Sequence, residues 1–453
     1  MIKKFTHNPW FIFSPFLFYY AYFIVINKWP TLYGDEIRYV DFAHNLIHGF
    51  YSPPAPHINL WNGPGYPIIL IPFIALHIPA IYITLMNGLY QYLAVVFLYK
   101  ALRLVTNNKI AAIFALLLAI YPNALSILPI LYTEAFTYFL VSLFVYCVTL
   151  FYIKGNIRHY ILAGFVLGYI ILTKIIFGYV IIICLAACLI LYLFKKNKFY
   201  YLKPVKILLV AFAVSVPYLV YTWHVTGKAL YWGNSGGMSL YWMSTPYENE
   251  YGDWKVPNLT NNQYPSLFKS AEVITILKKN HSKEMNFILK HNEVEQDELF
   301  KQIAINNIKK NPLKFISNYC CNFSRMLFNF PYSYAYQDAA IVRSIVIGSL
   351  ILWTSVIGII VTWLNWRNII PPIKLLLLIT ATYLLLSGAL SAYPRQFDII
   401  LPVLLFWTGY LIANIKKLDL KFSVNNSLDD ITLTDLADID IYTEQTAEDA
   451  TLK

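Results

Sequence analysis

Apolar runs close to bilayer length recur along the whole chain, and nothing else in it limits the fold so tightly. A segment that enters hydrocarbon must satisfy its own backbone N–H and C=O groups, so runs of this kind fold as helices. They fall at about Pro9–Asn27 and at residues 132–153, 207–223, 341–363, 373–390 and 397–415. Only 13% of the 453 residues are charged, against 58% hydrophobic, which is too little charge to coat a water-soluble surface of that size. The chain therefore reads as an all-α polytopic membrane protein.

Further runs at 66–85, 88–105 and 110–129 are short for a bilayer and dotted with Pro and polar residues, which predicts tilted or broken helices. Residues 160–194 are interrupted by Thr173-Lys174, which suits two short antiparallel helices with the Lys near their turn. The first run follows Lys3 and Lys4 and shows no small-residue cleavage site before Trp29-Pro30. It reads as a retained signal-anchor with a cytoplasmic N-terminus. Lys195, Lys196, Lys198, Lys203 and Lys206 form the strongest cytoplasmic marker, and Lys416-Lys417 form another. Counting from them puts Tyr393-Pro394-Arg395 on the outer side, together with the polar island at 29–65. The charges at Lys100, Arg103 and Lys109 leave the crossings between 66 and 105 open, so the expectation is 10 to 13 spans.

Four parts follow: an N-terminal membrane module (1–225) whose first external loop is 29–65, an external section (226–336), C-terminal membrane helices (337–417) and an acidic tail (418–453). The external section starts with the aromatic and glycine-rich run 231–242, which reads either as a flap over a cavity or as an interfacial anchor. A helix over 297–315, interrupted at Pro312, is expected to follow. The net charge of +11 conceals a tail in which residues 424–453 carry eight acids and one Lys, leaving +18 on everything before it. Basic loops facing anionic headgroups account for that excess without nucleic acid, and the tail reads as disordered and cytoplasmic. Cys147, Cys184 and Cys188 sit in apolar runs, and the adjacent Cys320 and Cys321 are poorly placed for a disulfide.

Polarity concentrates at residues 33–67, which hold two adjacent acids, an Arg, three His and a Pro/Gly-rich exit. A helix from Gly34 to His48 would put the acids at its positive end and Asp35, Arg38, Tyr39 and Phe42 on one face, with Glu36 about 100° away. The two acids are then no dyad: one is expected to be catalytic and the other structural. A carboxylate beside an Arg and a Tyr can take a proton from an acceptor while cations hold a phosphate leaving group. The competing reading is a helix start with favourably placed acids and an i,i+3 salt bridge. Asp41, His44 and His48 follow an i, i+3, i+7 spacing that could present a metal face, or simply contact headgroups.

The ordered set Asp35-Glu36-x-Arg38-Tyr39-x-x-x-Ala43-x-x-Leu46-x-x-Gly49, then Thr133-Glu134-Ala135, Leu172-Thr173-Lys174 and Arg395-x-Phe397-x-x-x-x-Pro402 resembles the GT-C glycosyltransferases. The most similar branch is the protein O-mannosyltransferase and aminoarabinose-transferase type. The resemblance implies a GT-C transmembrane helix bundle with an external mixed loop domain, in the plasma or inner membrane of a bacterial cell. It implies transfer of a hexosyl or pentosyl unit, with inversion, from a polyprenyl-phosphate-linked sugar donor to a glycan, lipid or protein acceptor on the outer face.

Carried over by position, Asp35 is the general base, supported by Glu36. Arg38 and Tyr39 line the donor, Glu134 is a second acid near the cavity, and Lys174 and Arg395 face the lipid phosphate. A Lys inside an apolar segment needs a partner or a wet cavity, so a phosphate is a natural companion, although Lys174 could also be a snorkelling turn residue and Arg395 an interfacial anchor. Where the aminoarabinose branch carries a Glu-Lys-Pro-Pro type sequence, this chain has Asn62-Gly63-Pro64-Gly65-Tyr66-Pro67, and His57 or Lys174 substitutes for the missing lysine. No cofactor is expected; a divalent metal at Asp41, His44 and His48 is the weaker alternative. Two other functions fit the same charges: a multi-pass transporter or flippase, which predicts repeat-related broken helices with buried acids in later spans, and a non-catalytic assembly scaffold.

Overall fold

A computed structural model describes residues 8–194, 198–255, 271–334 and 341–415; the acidic tail, Lys195, Lys196 and Lys416-Lys417 lie outside the described residues. Nineteen helices and no strand are found among the described residues. The first apolar run is split at Phe13 into α1 (Pro9–Ile12) and α2 (Ser14–Asn27). The polar island follows as α3 (Asp35–Ile47). Next come α4 (Gly65–Ala75), α5 (Ala80–Arg103), α6 (Asn108–Ala119), α7 (Pro122–Ile127), α8 (Glu134–Lys154), α9 (Ile157–Thr173), α10 (Ile176–Phe194) and α11 (Lys198–Thr226). The external section supplies α12 (Gly236–Met243), α13 (Ala271–Ile288), α14 (Glu293–Lys310) and α15 (Pro312–Phe328). The chain then returns through α16 (Ile341–Leu364), α17 (Pro371–Gly388), the one-turn α18 (Pro394–Asp398) and α19 (Leu401–Ala413).

Among the described residues, seven helices are long and apolar enough to cross a membrane: the joined α1 and α2, then α5, α8, α10, most of α11, α16 and α17. Four more, α4, α6, α9 and α19, are apolar but shorter. The protein is a multi-pass membrane protein. Its short helices have local causes in the sequence. Pro72 lies inside α4, and α6 stops at Ala119 just before Pro122 opens α7, so both stretches are broken as their composition predicts. Asn107 and Asn156 cap the starts of α6 and α9 by accepting from Ile110 N and Arg158 N, and Gly155 ends α8 in the left-handed conformation.

Two expectations for the external section need correction. The helix expected over 297–315 is two helices: α14 starts four residues earlier, at Glu293, where Asn292 caps it, and Pro312 opens α15 rather than kinking a continuous helix. A proline at the first helical position loses no hydrogen bond, so it is a start signal there. The run 231–242 is neither an exposed flap nor an interfacial anchor. Trp232 and Trp242 are fully buried, and α12 joins Tyr241 and Trp242 to Met285, Ile288 and Phe300 in a small core of the external section's own.

Candidate functional site

Helix α3 starts at Asp35, and its polarity sorts by face. Tyr39, Phe42 and Ala43 turn inward, while Asp41, His44 and His48 are exposed. The two adjacent acids part company, as a 100° rotation requires. Glu36 is 3% exposed and fully engaged: Oε1 meets Lys28 Nζ at 2.6 Å and accepts from Leu131 N at 2.7 Å, and Oε2 accepts from Tyr33 N at 3.0 Å. It fastens α3 to the turns on either side. Glu36 is not among the residues that line the cavity, so the support it gives Asp35 runs through the placing of α3.

Asp35 opens onto a cavity of about 200 Å³. The floor and one wall are Tyr39, Trp61, Asn62 and Gly63 with Lys174 at the break between α9 and α10; Ser239 of α12, Tyr383 and Ser387 of α17, residues 390–392 and Arg395 of α18 complete it. Elements from the first external loop, the membrane helices and the external section thus converge on one carboxylate. Arg395 Nη2 donates to Asp35 Oδ2 at 2.9 Å and Arg38 Nη1 to Oδ1 at 3.2 Å. Burial pushes the Asp35 carboxyl up, but the charges of Arg395 and Arg38 outweigh it and hold the group below the usual carboxylate range. Asp35 is therefore anionic at neutral pH.

Beneath this pair lies a second one. Lys174 Nζ donates to Glu134 Oε1 at 2.9 Å, with Glu134 1% exposed and the Lys 18%. The helix break explains the arrangement, because Lys174 caps the end of α9 outside helical geometry and so projects its ammonium sideways into the bundle. Arg395 stacks over Tyr132 at 5.0 Å, and Arg38 over Trp61 at 4.7 Å. The cavity thus holds Asp35 with Lys174 and Arg395, and Arg38 pairs with Asp35 beside it; each of the three cations meets an acid. This is chemistry suited to a carboxylate that takes a proton beside an anionic group that departs.

Five of the residues singled out from sequence, Asp35, Arg38, Tyr39, Lys174 and Arg395, meet here, with Glu134 directly behind Lys174. His57 does not: it is exposed and lies 3.6 Å from Glu293 at the start of α14, so it cannot replace a phosphate-binding lysine. Nor do Asp41, His44 and His48 converge; His48 Nδ1 is 2.8 Å from the His44 carbonyl, and no metal-ligating group of three is found among the described residues.

The sequence reading missed Asn62 and its glycines. Asn62 Oδ1 accepts from Arg38 Nη1 at 3.3 Å, and its Nδ2 donates to Tyr39 Oη at 3.3 Å. A Cβ on Gly63 would come within 2.0 Å of Leu172 O, and one on Gly65 within 2.6 Å of Thr173 Oγ1. The loop therefore lies directly on the backbone that delivers Lys174, an approach only glycine permits. Two glycines flanking a proline, straight after a polar segment, were the available signal.

Residues 64–221 match the family model of the dolichyl-phosphate-mannose-protein mannosyltransferases. That stretch is of the GT-C glycosyltransferase type. It contains Glu134 and Lys174 and leaves Asp35, Arg38 and Arg395 outside. Among solved structures, the chain is similar to the oligosaccharyltransferase AglB from Archaeoglobus fulgidus in complex with an inhibitory peptide and a dolichol-phosphate. The TM-score is 0.48 at 13% identity, covering 90% of this chain and 51% of that one. The same organism's oligosaccharyltransferase in complex with Zn and sulfate gives 0.47 at 15% identity, covering 89% and 49%. The chain spans about half the length of these structures. No curated protein matches it.

Proposed function

We propose that this protein transfers a sugar from a polyprenyl-phosphate carrier to an acceptor at the outer face of the membrane. The observation that carries the reading is one cavity in which the Asp35 carboxylate meets Arg395 at 2.9 Å while Lys174 lines the same space. The GT-C stretch over 64–221 supports it.

In this reading Asp35 takes the proton of the acceptor hydroxyl or amine as that atom attacks the anomeric carbon. The bond from that carbon to the phosphate oxygen breaks, its electron pair stays on the phosphate, and the configuration inverts. Arg395 and Lys174 hold the phosphate as its charge grows, with Arg38 nearby. The resting pairs give the step an order. A carboxylate clasped by two guanidinium groups is a weak base, so the donor phosphate, by drawing Arg395 to itself, raises the basicity of Asp35 only once the leaving group is in place. Charge on the phosphate is met by side chains, and no resident metal is needed; a metal held by Asp41, His44 and His48 would instead make activity vanish in EDTA.

The deciding experiment is Asp35→Asn in the full chain, with expression and folding verified, assayed for transfer from a polyprenyl-phosphate sugar. Undiminished transfer by the folded variant removes Asp35 from the mechanism.

A further inference from the structure

Helix α15 belongs to the external section, yet one buried stripe of it is written in polar residues: Asn318, Asn322 and Arg325, at i, i+4 and i+7, each 0% exposed. Burying an amide or a guanidinium is costly unless every donor is used, and here the donors are used on backbone oxygens of other segments. Asn318 Nδ2 donates to Met243 O and Thr245 O, both at 3.1 Å, and so holds the end of α12. Asn322 Nδ2 reaches Ser387 O at 3.2 Å and Gly388 O at 3.0 Å, at the end of α17, and Leu390 O at 2.7 Å just beyond it. Arg325 spreads its fork over Tyr251 O, Pro331 O, Ala392 O and the side chain of Asn322.

The two residues converge on the backbone of a single residue, Ala392. Asn322 Oδ1 accepts from Ala392 N at 3.0 Å while Arg325 Nε donates to Ala392 O at 3.1 Å, and Arg325 Nη2 locks the amide at 2.7 Å. Ala392 lines the cavity, and Arg395, which reaches Asp35, follows three residues later. Helix α15 can sit this close to the end of α17 because residue 388 is glycine: a Cβ there would lie 2.5 Å from Phe323. A guanidinium placed fully inside the protein on carbonyl oxygens, where an apolar side chain would pack at lower cost, calls for a role other than stability.

We propose that Asn322 and Arg325 are positioning residues of the reaction site, clamping the 387–392 turn from the external side so that Arg395 is delivered to Asp35 and the donor phosphate. The role of Arg395 rests on the glycosyltransferase reading; the clamp itself does not, and the test separates them.

Asn322→Leu and Arg325→Met are made in the full chain, alone and combined with Arg395→Gln, and studied in lipid nanodiscs by hydrogen exchange and by transfer from a polyprenyl-phosphate sugar. Amides of 387–396 exchange at least about tenfold faster in each clamp variant, while those of α5 and α8 are unchanged. Transfer falls about 100-fold through kcat in either clamp variant, as a misplaced group predicts, yet the same substitution costs little in the Arg395→Gln background. Unchanged exchange at 387–396 in a folded clamp variant overturns the proposal, and so does an activity loss that adds fully to that of Arg395→Gln. Faster exchange in a protein whose wild type transfers no sugar upholds the clamp and overturns the glycosyltransferase reading. If either substitution prevents folding, Arg325→Lys and Asn322→Asp carry the same measurements: the first keeps the charge without the fork, the second keeps the oxygen facing Ala392 N without the amide donors.

Discussion

The buried and the cavity-lining acid–base pairs of this protein differ in exposure, and the difference separates structure from candidate chemistry; Lys228 and Glu298, at 31% and 38%, form an ordinary surface pair apart from both. In the external section Asp253 and Lys255 are each 6% exposed at 2.7 Å, and Glu250 and His281 each 2% at 2.9 Å. Lys28 with Glu36, beside the polar loop, is closed in the same way at 8% and 4%. The cavity pairs are open. Asp35 and Arg395 expose 22% and 30% of their side chains, and Lys174 exposes 18% while its partner Glu134 exposes 1%. A closed pair has nothing left to offer a ligand; an open pair can exchange one partner for another. Counting buried charges in the sequence cannot tell the two apart, because the separation depends on which backbone groups reach each carboxylate.

The sharpest break of this comparison sets Asp35→Asn against Glu36→Gln. The first lowers transfer by at least about 10²- to 10⁴-fold with little change in thermal midpoint, and the second, by leaving Lys28 buried without its acid, costs about 3–5 kcal/mol of stability while the folded fraction still works. Similar thermal midpoints for the two variants would erase the distinction. Lys174→Met tests the mixed pair: it strands Glu134 and destabilises by about 3 kcal/mol or more, and adding Glu134→Gln restores most of the stability without restoring transfer. Chemical denaturation in nanodiscs beside the transfer assay reads both. Next in size is Gly63→Ala. Its Cβ overlaps the Leu172 carbonyl, so the loop must shift from the helix break, at about 1–3 kcal/mol and with a rise in KM for the lipid donor as Lys174 moves.

The smallest effects are those of pH. Asp35, held below its usual range by Arg395 and Arg38 despite burial, contributes stability that is present above about pH 4 and is lost only as pH falls through its lower folded value. The kcat/KM of transfer, which reports the free enzyme, should accordingly show no acid limb from Asp35 between pH 7 and 5. Asp297, in the external section, is shifted the other way by burial, with Gly237 N and Tyr231 Oη hydrogen-bonded to it. Its contribution is complete below about pH 4 and lost as pH rises through its raised folded value, so Asp297→Asn flattens the pH dependence of stability at that end. A pH–stability curve of each variant against wild type checks both signs.

The membrane helices were legible in the sequence because lipid leaves the backbone no other choice, and Lys174 was legible because a cation interrupting an apolar run needs a reason. That Asp35, Arg38 and Tyr39 share one face was legible from helical spacing. The fate of Glu36 was not, since it depends on the N–H of Leu131, 95 residues away. Trp232 and Trp242 were misplaced for a related reason: interfacial and buried tryptophans have the same composition around them, and only packing decides, against Gly178 and Tyr179 of α10 for Trp232 and against α13 and α14 for Trp242. His57 faced the same ambiguity, being polar, near the right loop and turned toward α14.

The contact between Asp35 and Arg395 spans 360 residues. Synthesis runs from the N-terminus, so Asp35 is made with the first helices, and Arg395 follows only after α17. Until then Arg38 is the cation paired with it, with Lys174 across the cavity. A partly made or truncated chain thus carries Asp35 without Arg395, and the α18 turn is among the last pieces of the cavity to arrive.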